Sequence, residues 1–476
     1  MTLISLVCLC YLAFLVQLSC TFQAAVYEHV QQGDPLKDPD SIIIEKNLLK
    51  YEEATHNASL EGADIIVFPE HGILFFHDLL AHAEDIPEPG DVNPCLHLPG
   101  DLSRPILSKL SCLARNSRIY LVANVIDRKP CLRPNCSNRN GDEHLYYNTN
   151  VAFDRSGRLV SRYHKNHLFG ERKMAEPHPR EFAVFDTDFG AKVGMFTCFD
   201  VLFKEASQLV TLFNINLAVM STLWFDELPN LYSVAVQQSW AYRHNVTLVV
   251  SGIQRPGTGT LGSGIYSGVK GPFIYTYSPD GRDKLLVADL DGLQPHQTRY
   301  KDDVLVVHDR VFIKPESLDY DFVKLEGKSG NETLCRDGYC CSVEYTVASM
   351  NESFFLLFKI GQKRTTAGVS LGVEECMVAR CESKHSSPCG WFPDSKGAAF
   401  TYMMLRANFS SSAVFPLLVS DNLALTPTKH WSYTLTADNV ALLSINTDNL
   451  PSEPLMYAVL MGRNYDDDVF PPRANV

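Results

Sequence analysis

Val193-Gly-Met-Phe-Thr-Cys-Phe-Asp-Val-Leu-Phe203 is a strand-like run that breaks at Cys198 and continues as a helix-like run. A side chain at a strand-to-helix turn projects from the top of a sheet, and the first helical N–H groups point toward whatever it attacks. The same turn is expected to lower the thiol pKa and to supply an oxyanion donor. Cys198 is therefore a candidate nucleophile, and the competing reading is a cysteine packed in an apolar core.

Outward from this stretch, short runs rich in Val, Ile and Phe predict strands at 22–26, 64–68, 119–125, 150–153, 193–197, 217–221 and 247–251. Helix-length segments lie between several of them. One runs from Ser41 to Glu61, with Ser41 as N-cap and Ile44, Leu48, Tyr51 and Ala54 at helical spacing; Val201–Leu212 and Leu231–Tyr242 are others. Strands alternating with helices predict an α/β layered sheet whose function sits at the strand ends. Past about residue 310 the pattern changes to strand-like runs at 354–359, 398–405 and 440–445, separated by loops of Gly, Ser and Asn. A second, mostly β domain is expected over 311–476.

Two further polar residues fall where strands should end. Ala63-Asp-Ile-Ile-Val-Phe-Pro-Glu-His71 delivers Glu70 to the sheet edge, where partial desolvation suits a carboxylate to general-base work. A helix or loop cap is the plain alternative. Lys165, in Leu159-Val-Ser-Arg-Tyr-His-Lys-Asn-His-Leu-Phe-Gly-Glu171, lies in a strand-to-loop passage among apolar and aromatic neighbours. A partly buried lysine there suits an oxyanion stabiliser, whereas most lysines are simply exposed.

A formal charge of -13 over 476 residues argues against nucleic acid and anionic membranes as partners and leaves small molecules. Residues 1–20 carry no charge, have an apolar stretch from Leu3 to Val16 and end in Leu18-Ser-Cys20, the pattern of a cleaved secretory signal, with an uncleaved anchor as the alternative. Sequons at Asn57, Asn135, Asn245, Asn331, Asn351 and Asn408 fit a secreted glycoprotein. The C-terminal residues hold no apolar tail, so no membrane anchor is expected there. Of 14 cysteines, Cys8, Cys10 and Cys20 leave with the signal, and the remaining 11 are odd in number. In an oxidising compartment one must stay unpaired; setting Cys198 aside leaves ten, enough for five disulfides. Zinc at Cys335, Cys340 and Cys341 is the alternative to pairing.

The segments around Glu70, Lys165 and Cys198, in this chain order, resemble the Glu-Lys-Cys motifs of the nitrilase (carbon-nitrogen hydrolase) superfamily. Ala24-Ala-Val-Tyr-Glu-His29, Tyr163-His-Lys-Asn-His-Leu-Phe169, Phe196-Thr-Cys-Phe-Asp-Val-Leu-Phe203, Gly262-Ser-Gly-Ile-Tyr266 and the pair Cys340-Cys341 narrow the resemblance to its vanin and biotinidase branch. The resemblance implies a four-layer α-β-β-α catalytic domain over 21–310, a base domain over 311–476, and hydrolysis of a small vitamin amide without metal or organic cofactor. It implies that Cys198 attacks the carbonyl, Glu70 moves the proton, and Lys165 with the backbone N–H of Phe199 stabilises the oxyanion. Glu171 is expected to support Lys165, and Asp200 to hold the turn by bonding backbone amides; Tyr163 and His164 read as packing. Ser221-Thr-Leu-Trp-Phe225 departs from the branch's Pro-Thr-Ala-Trp-Met stretch but keeps Thr222 and Trp224, which should line the acyl pocket; the Arg255 region differs as well. Pantetheine is the leading substrate, biocytin the runner-up, and a catalytically dead binding protein the third reading. Oligomeric state and disulfide connectivity are open at this stage.

Overall fold

The computed structural model describes residues 22–74, 79–97, 103–131, 144–227, 230–255, 259–268, 270–290, 320–381, 389, 397–420, 423–446 and 454–471. The expected signal at 1–20, the sequon at Asn135 and the domain boundary at 310 lie outside these residues.

Twelve strands form two six-stranded sheets: β1 (Gln23–Glu28), β2 (Ile65–Val67), β3 (Tyr120–Pro130), β4 (His144–Phe153), β5 (Leu159–His164), β6 (Ala183–Asp186), β7 (Lys192–Thr197), β8 (Leu217–Thr222), β9 (Thr247–Gly252), β10 (Ser263–Ser267), β11 (Gly271–Thr276) and β12 (Lys284–Asp289). The orders are β12-β1-β2-β3-β4-β5 and β11-β10-β9-β8-β7-β6. In each sheet three central strands are parallel, β1-β2-β3 and β7-β8-β9. Their apolar runs are continuous because both faces are covered. Ala24, Val26, Ile65, Val67, Tyr120 and Val122 face the other sheet, while Ala25, Tyr27, Ile66, Phe68, Leu121 and Ala123 face helices. That two-residue period places β1, β2 and β3 between two layers.

Helix α1 (Asp40–Leu60) buries Leu48, Tyr51, Ala54 and Ala58 against the first sheet, and α2 (Pro105–Ser117) adds Leu107, Leu110, Leu113 and Ala114. Against the second sheet lie α3 (Lys204–Phe213) and α4 (Ser233–His244). The result is a four-layer α-β-β-α sandwich. Two serines stitch the sheets together: Ser221 Oγ donates to the Phe68 carbonyl at 2.7 Å and Ser251 Oγ to that of Tyr27 at 2.6 Å.

Three expected boundaries shift. Pro39, not Ser41, stands at the N-cap of α1, because its extended backbone already turns the chain into the helix. The helix expected over Val201–Leu212 begins at Lys204; Cys198–Leu202 is a 3-10 turn, and Phe203 is extended (φ -115°, ψ 162°). The helix expected over Leu231–Tyr242 runs instead over Ser233–His244, ending with Asn245 in the left-handed region.

Residues 321–463 build a ten-stranded antiparallel sheet: β13 (Asp321–Lys324), β14 (Ser329–Arg336), β15 (Tyr339–Met350), β16 (Phe354–Arg364), β17 (Ser370–Arg380), β18 (Ala398–Asn408), β19 (Val414–Ser420), β20 (Trp431–Leu435), β21 (Val440–Asn446) and β22 (Leu455–Arg463). One face, with Phe415, Leu417, Tyr457, Val459 and Met461, shares a core with Val236 and Trp240 of α4. The other face folds on itself around Leu356, Phe400, Met403 and Leu443.

Disulfides join Cys95–Cys112, Cys335–Cys340, Cys341–Cys376 and Cys381–Cys389, and Cys131 is disulfide-bonded as well. Cys198 is the free cysteine among the described residues, as the odd count requires. Asn57, Asn245, Asn331 and Asn351 are exposed. Asn408 is half-buried, and its side chain accepts the Cys340 N–H at 2.7 Å and donates to the Gly338 carbonyl at 3.3 Å. Among the described residues, no helix is long and apolar enough to cross a membrane.

Candidate active site

Parallel strands end together, so β2, β5, β7 and β8 bring their C-terminal residues to one end of the sandwich. Glu70 follows β2, Lys165 directly follows β5, Cys198 directly follows β7, and Leu223 directly follows β8. All four are buried: Glu70 is 2% exposed, Lys165 1%, Cys198 4% and Leu223 6%. Cys198 sits at φ +49°, in the left-handed region, which costs a non-glycine residue on the order of 1 kcal/mol. The surrounding bonds hold it there. The Asp200 carboxylate accepts the Thr197 N–H at 3.1 Å, the His167 N–H at 2.8 Å and the Tyr163 hydroxyl at 2.8 Å. It thereby ties the turn to the segment after Lys165, although burial pushes its carboxyl up to about 6.

Lys165 Nζ donates to Glu70 Oε1 at 2.7 Å and to Glu171 Oε1 at 2.8 Å. Burial is the largest single influence on this ammonium and disfavours its charge, but the carboxylates of Glu171 and Glu70 together outweigh it and hold the pKa well above that of an ordinary lysine. Conversely, burial raises the Glu171 carboxyl and Lys165 more than compensates, so it lies below the usual range. Glu70, His71 and Glu171 offer ligand atoms within 4.8 Å of one another, the pattern of a cation site; the cation among them is the Lys165 ammonium.

The Cys198 thiol is pushed up, not down as the strand-to-helix turn led us to expect. Burial is the main cause and the Glu70 carboxylate the second; Lys165, the Thr222 side chain and the Leu223 backbone act in the opposite direction. A five-residue 3-10 turn supplies little of the dipole that a full helix would bring. A thiol raised in this way requires a base before its sulfur can attack. Its Sγ lies 3.6 Å from the Leu223 carbonyl.

Several participants escaped sequence reasoning. Asn148 on β4 donates from Nδ2 to Glu70 Oε1 at 2.7 Å and to Glu171 Oε1 at 3.0 Å, and the Leu223 N–H donates to Glu70 Oε2 at 2.9 Å. Asn124 in turn donates to Asn148 Oδ1 at 2.7 Å. The available signal was Asn148-Thr-Asn150, two amides inside a strand, which a buried hydrogen-bond network would retain. His71, at φ +53°, is kept neutral by burial and lies 3.2 Å from Asn148 Nδ2.

Tyr163 and His164 are more than packing. The Tyr163 hydroxyl braces Asp200, and His164 is clamped between Asp127 at 2.8 Å and Glu181 at 2.9 Å because its backbone direction at the end of β5 points it into a carboxylate pair. Thr222 and Trp224 are both buried, Thr222 interacting with the Cys198 thiol and the Trp224 indole N–H donating to the Leu231 carbonyl at 3.0 Å.

The carbon-nitrogen hydrolase family model matches residues 32–253, and the vanin C-terminal domain model matches residues 310–468. Pantetheinase of Sus scrofa is 33% identical over 474 residues, covering 94% of this chain and 90% of that protein, and pantetheinase of Homo sapiens is 33% identical with the same coverage. Biotinidase of Takifugu rubripes is 31% identical over 451 residues, covering 85% of this chain and 88% of that protein. Among solved structures, an amidase from Nesterenkonia sp. aligns with 56% of this chain and 90% of that chain at 19% identity and a TM-score of 0.40. On the family models and the near-full-length relatives, this chain belongs to the vanin and biotinidase branch of the carbon-nitrogen hydrolases.

Proposed function

We propose that the protein hydrolyses the amide of pantetheine to pantothenate and cysteamine through a thioester on Cys198. The observation that carries the substrate is likeness to pantetheinases over 94% of the chain. The chemistry follows from the site. Cys198 Sγ attacks the amide carbonyl as Glu70 takes the thiol proton. The alkoxide oxygen that develops is met by Lys165, two of whose three N–H bonds are spent on Glu70 and Glu171, and by the Phe199 N–H. Glu70 then hands its proton to the departing amine, the C–N bond breaks, and the thioester remains. Water loses a proton to Glu70, attacks the thioester and frees the acid, restoring the thiol. Glu171 and Asn148 keep Lys165 and Glu70 in register, and Asp200 keeps the turn. No step calls for a metal or organic cofactor.

The proposal includes a secreted chain with its signal at 1–20, a catalytic unit over 21–310 and a base domain over 311–476. The paired cysteines support the oxidising compartment. Glycans are proposed on the exposed Asn57, Asn245, Asn331 and Asn351; Asn408 spends its amide on the Gly338 turn.

The test is amine release from pantetheine and from biocytin by wild type and by Cys198→Ala. We expect cysteamine release that falls by at least about 10³-fold in the variant. Undiminished turnover by Cys198→Ala would remove the mechanism. Lysine release from biocytin in preference to cysteamine would transfer the assignment to biotin amides, and turnover of neither would favour a binding protein on this scaffold.

A further inference from the structure

Glu70 and Cys198 both lean on the Leu223 backbone, the first through Oε2 and the second through Sγ. Leu223 begins a loop whose hold comes from elsewhere. Within it, Glu227 and Leu231 exchange backbone hydrogen bonds at 3.2 and 3.0 Å, and the Leu231 carbonyl accepts the Trp224 indole N–H. Glu227 is 8% exposed, and its Oε1 accepts the Thr366 N–H at 2.8 Å and the Thr366 hydroxyl at 2.5 Å. Thr366 is in the turn between β16 and β17 of the C-terminal sheet. Asn230, fully buried, is hydrogen-bonded to Glu375 and Lys363 of the same two strands.

The nucleophile turn is held from the same sheet. Arg463, at the end of β22, is 1% exposed; its Nε donates to the Leu202 carbonyl at 3.0 Å, and its Nη2 meets both Asp468 carboxylate oxygens at 3.0 and 2.9 Å. Leu202 closes the turn that Cys198 opens at positive φ. A guanidinium buried this completely is costly to desolvate, and a hydrophobic residue would join two sheets at least as well. What it adds is direction at a strained turn.

We propose that Thr366 and Arg463 are positioning residues for the hydrolysis, the first acting through Glu227 and Leu223 on Glu70, the second through Leu202 on Cys198. The inference rests on amide hydrolysis at Cys198, and it gives the C-terminal sheet a part in catalysis beyond covering α4. If the contacts served only to join the two parts, their loss would lower stability and leave the chemistry intact.

The experiment compares full-length Thr366→Val, Thr366→Ser and Arg463→Lys with wild type in three readouts: kcat and KM on pantetheine, the rate of Cys198 alkylation by iodoacetamide, and Tm. A displacement of the base or nucleophile by a fraction of an ångström predicts kcat down about tenfold in Thr366→Val and Arg463→Lys, KM within about twofold, and alkylation slowed alongside kcat. Thr366→Ser, which keeps the hydroxyl, is expected near wild type. Folded Thr366→Val and Arg463→Lys with wild-type kcat and alkylation rate, lowered only in Tm, would overturn the proposal. Should Arg463→Lys fail to fold, Thr366→Val with its serine rescue decides. Alkylation needs no natural substrate: a wild type that leaves pantetheine intact counts against the substrate reading, while the alkylation rates still decide for or against positioning.

Discussion

Lys165→Met removes the cation held between Glu70 and Glu171 while keeping a side chain of similar length. In wild type the ammonium contacts both carboxylates at 2.7 and 2.8 Å, with Lys165 1% exposed. Deleting one partner of a buried ion pair costs about 3–5 kcal/mol, because the remaining charge has neither water nor counter-charge. At roughly 2 °C per kcal/mol for a chain of this size, Tm should fall by about 6–10 °C at neutral pH. The pH dependence carries the sharper signature. Glu171 in wild type lies below the usual carboxylate range because Lys165 outweighs burial; this contribution is present above the unfolded carboxylate pKa and is lost as pH falls through the folded one. In the variant, burial loses its main opponent and raises the carboxyl above its unfolded value, so its penalty is absent in acid and grows as pH rises through the raised pKa. Both effects have the same sign: the gap between wild type and Lys165→Met is widest near pH 8 and closes toward pH 4. Scanning calorimetry at four pH values measures it, and Lys165→Met/Glu171→Gln should recover much of the loss, since a Gln oxygen can still accept from Asn148. A gap under about 1 kcal/mol, or one constant from pH 5 to pH 8, would refute the reasoning.

Tyr163→Phe should cost about 1–3 kcal/mol in urea unfolding, because the hydroxyl bridges Asp200 and the Asn166 N–H in a buried network; unchanged stability would mean that Asp200 needs no such brace. The His164 pKa is raised: burial alone would lower it, but hydrogen bonds to Asp127 and Glu181 prevail. Its stabilisation is therefore full below the ordinary histidine pKa and is lost as pH rises through the raised value, so the advantage of wild type over His164→Gln should shrink between pH 6 and pH 9; an advantage independent of pH would contradict this. Denaturation without reductant should expose one thiol per chain, mapping to Cys198, and recovery of Cys198 in a disulfide would overturn the parity argument.

The parts of the site legible in the chain are those with a strong local signature. Glu70 and Cys198 each follow an apolar strand at once, and Lys165 lies among aromatics, so residue type and strand end were readable together. Short, half-polar strands were not: β6 and β10 to β12 have too little apolar periodicity to stand apart from loops until a neighbour supplies the pairing. Asn148 was overlooked because an amide in a strand has no meaning before one knows that Glu70 and Glu171 face it. The thiol pKa went the other way for a similar reason: a turn's dipole is a local property, and burial is not.

By itself the sequence determined the layered α/β half, the β-rich half, the three polar side chains that meet at the strand ends and the unpaired cysteine. Each of these follows from hydrophobic period, residue type or a count, all of which are properties of the chain in one dimension. Only the tertiary structure decided who partners whom. Leu223 on Glu70, Asn148 across two carboxylates, and Thr366 and Arg463 reaching from the far sheet to the loop and turn beside the thiol join residues dozens to hundreds of positions apart. Burial at those junctions removes water and makes each bond count, and no pattern along the chain encodes which distant segment will provide it.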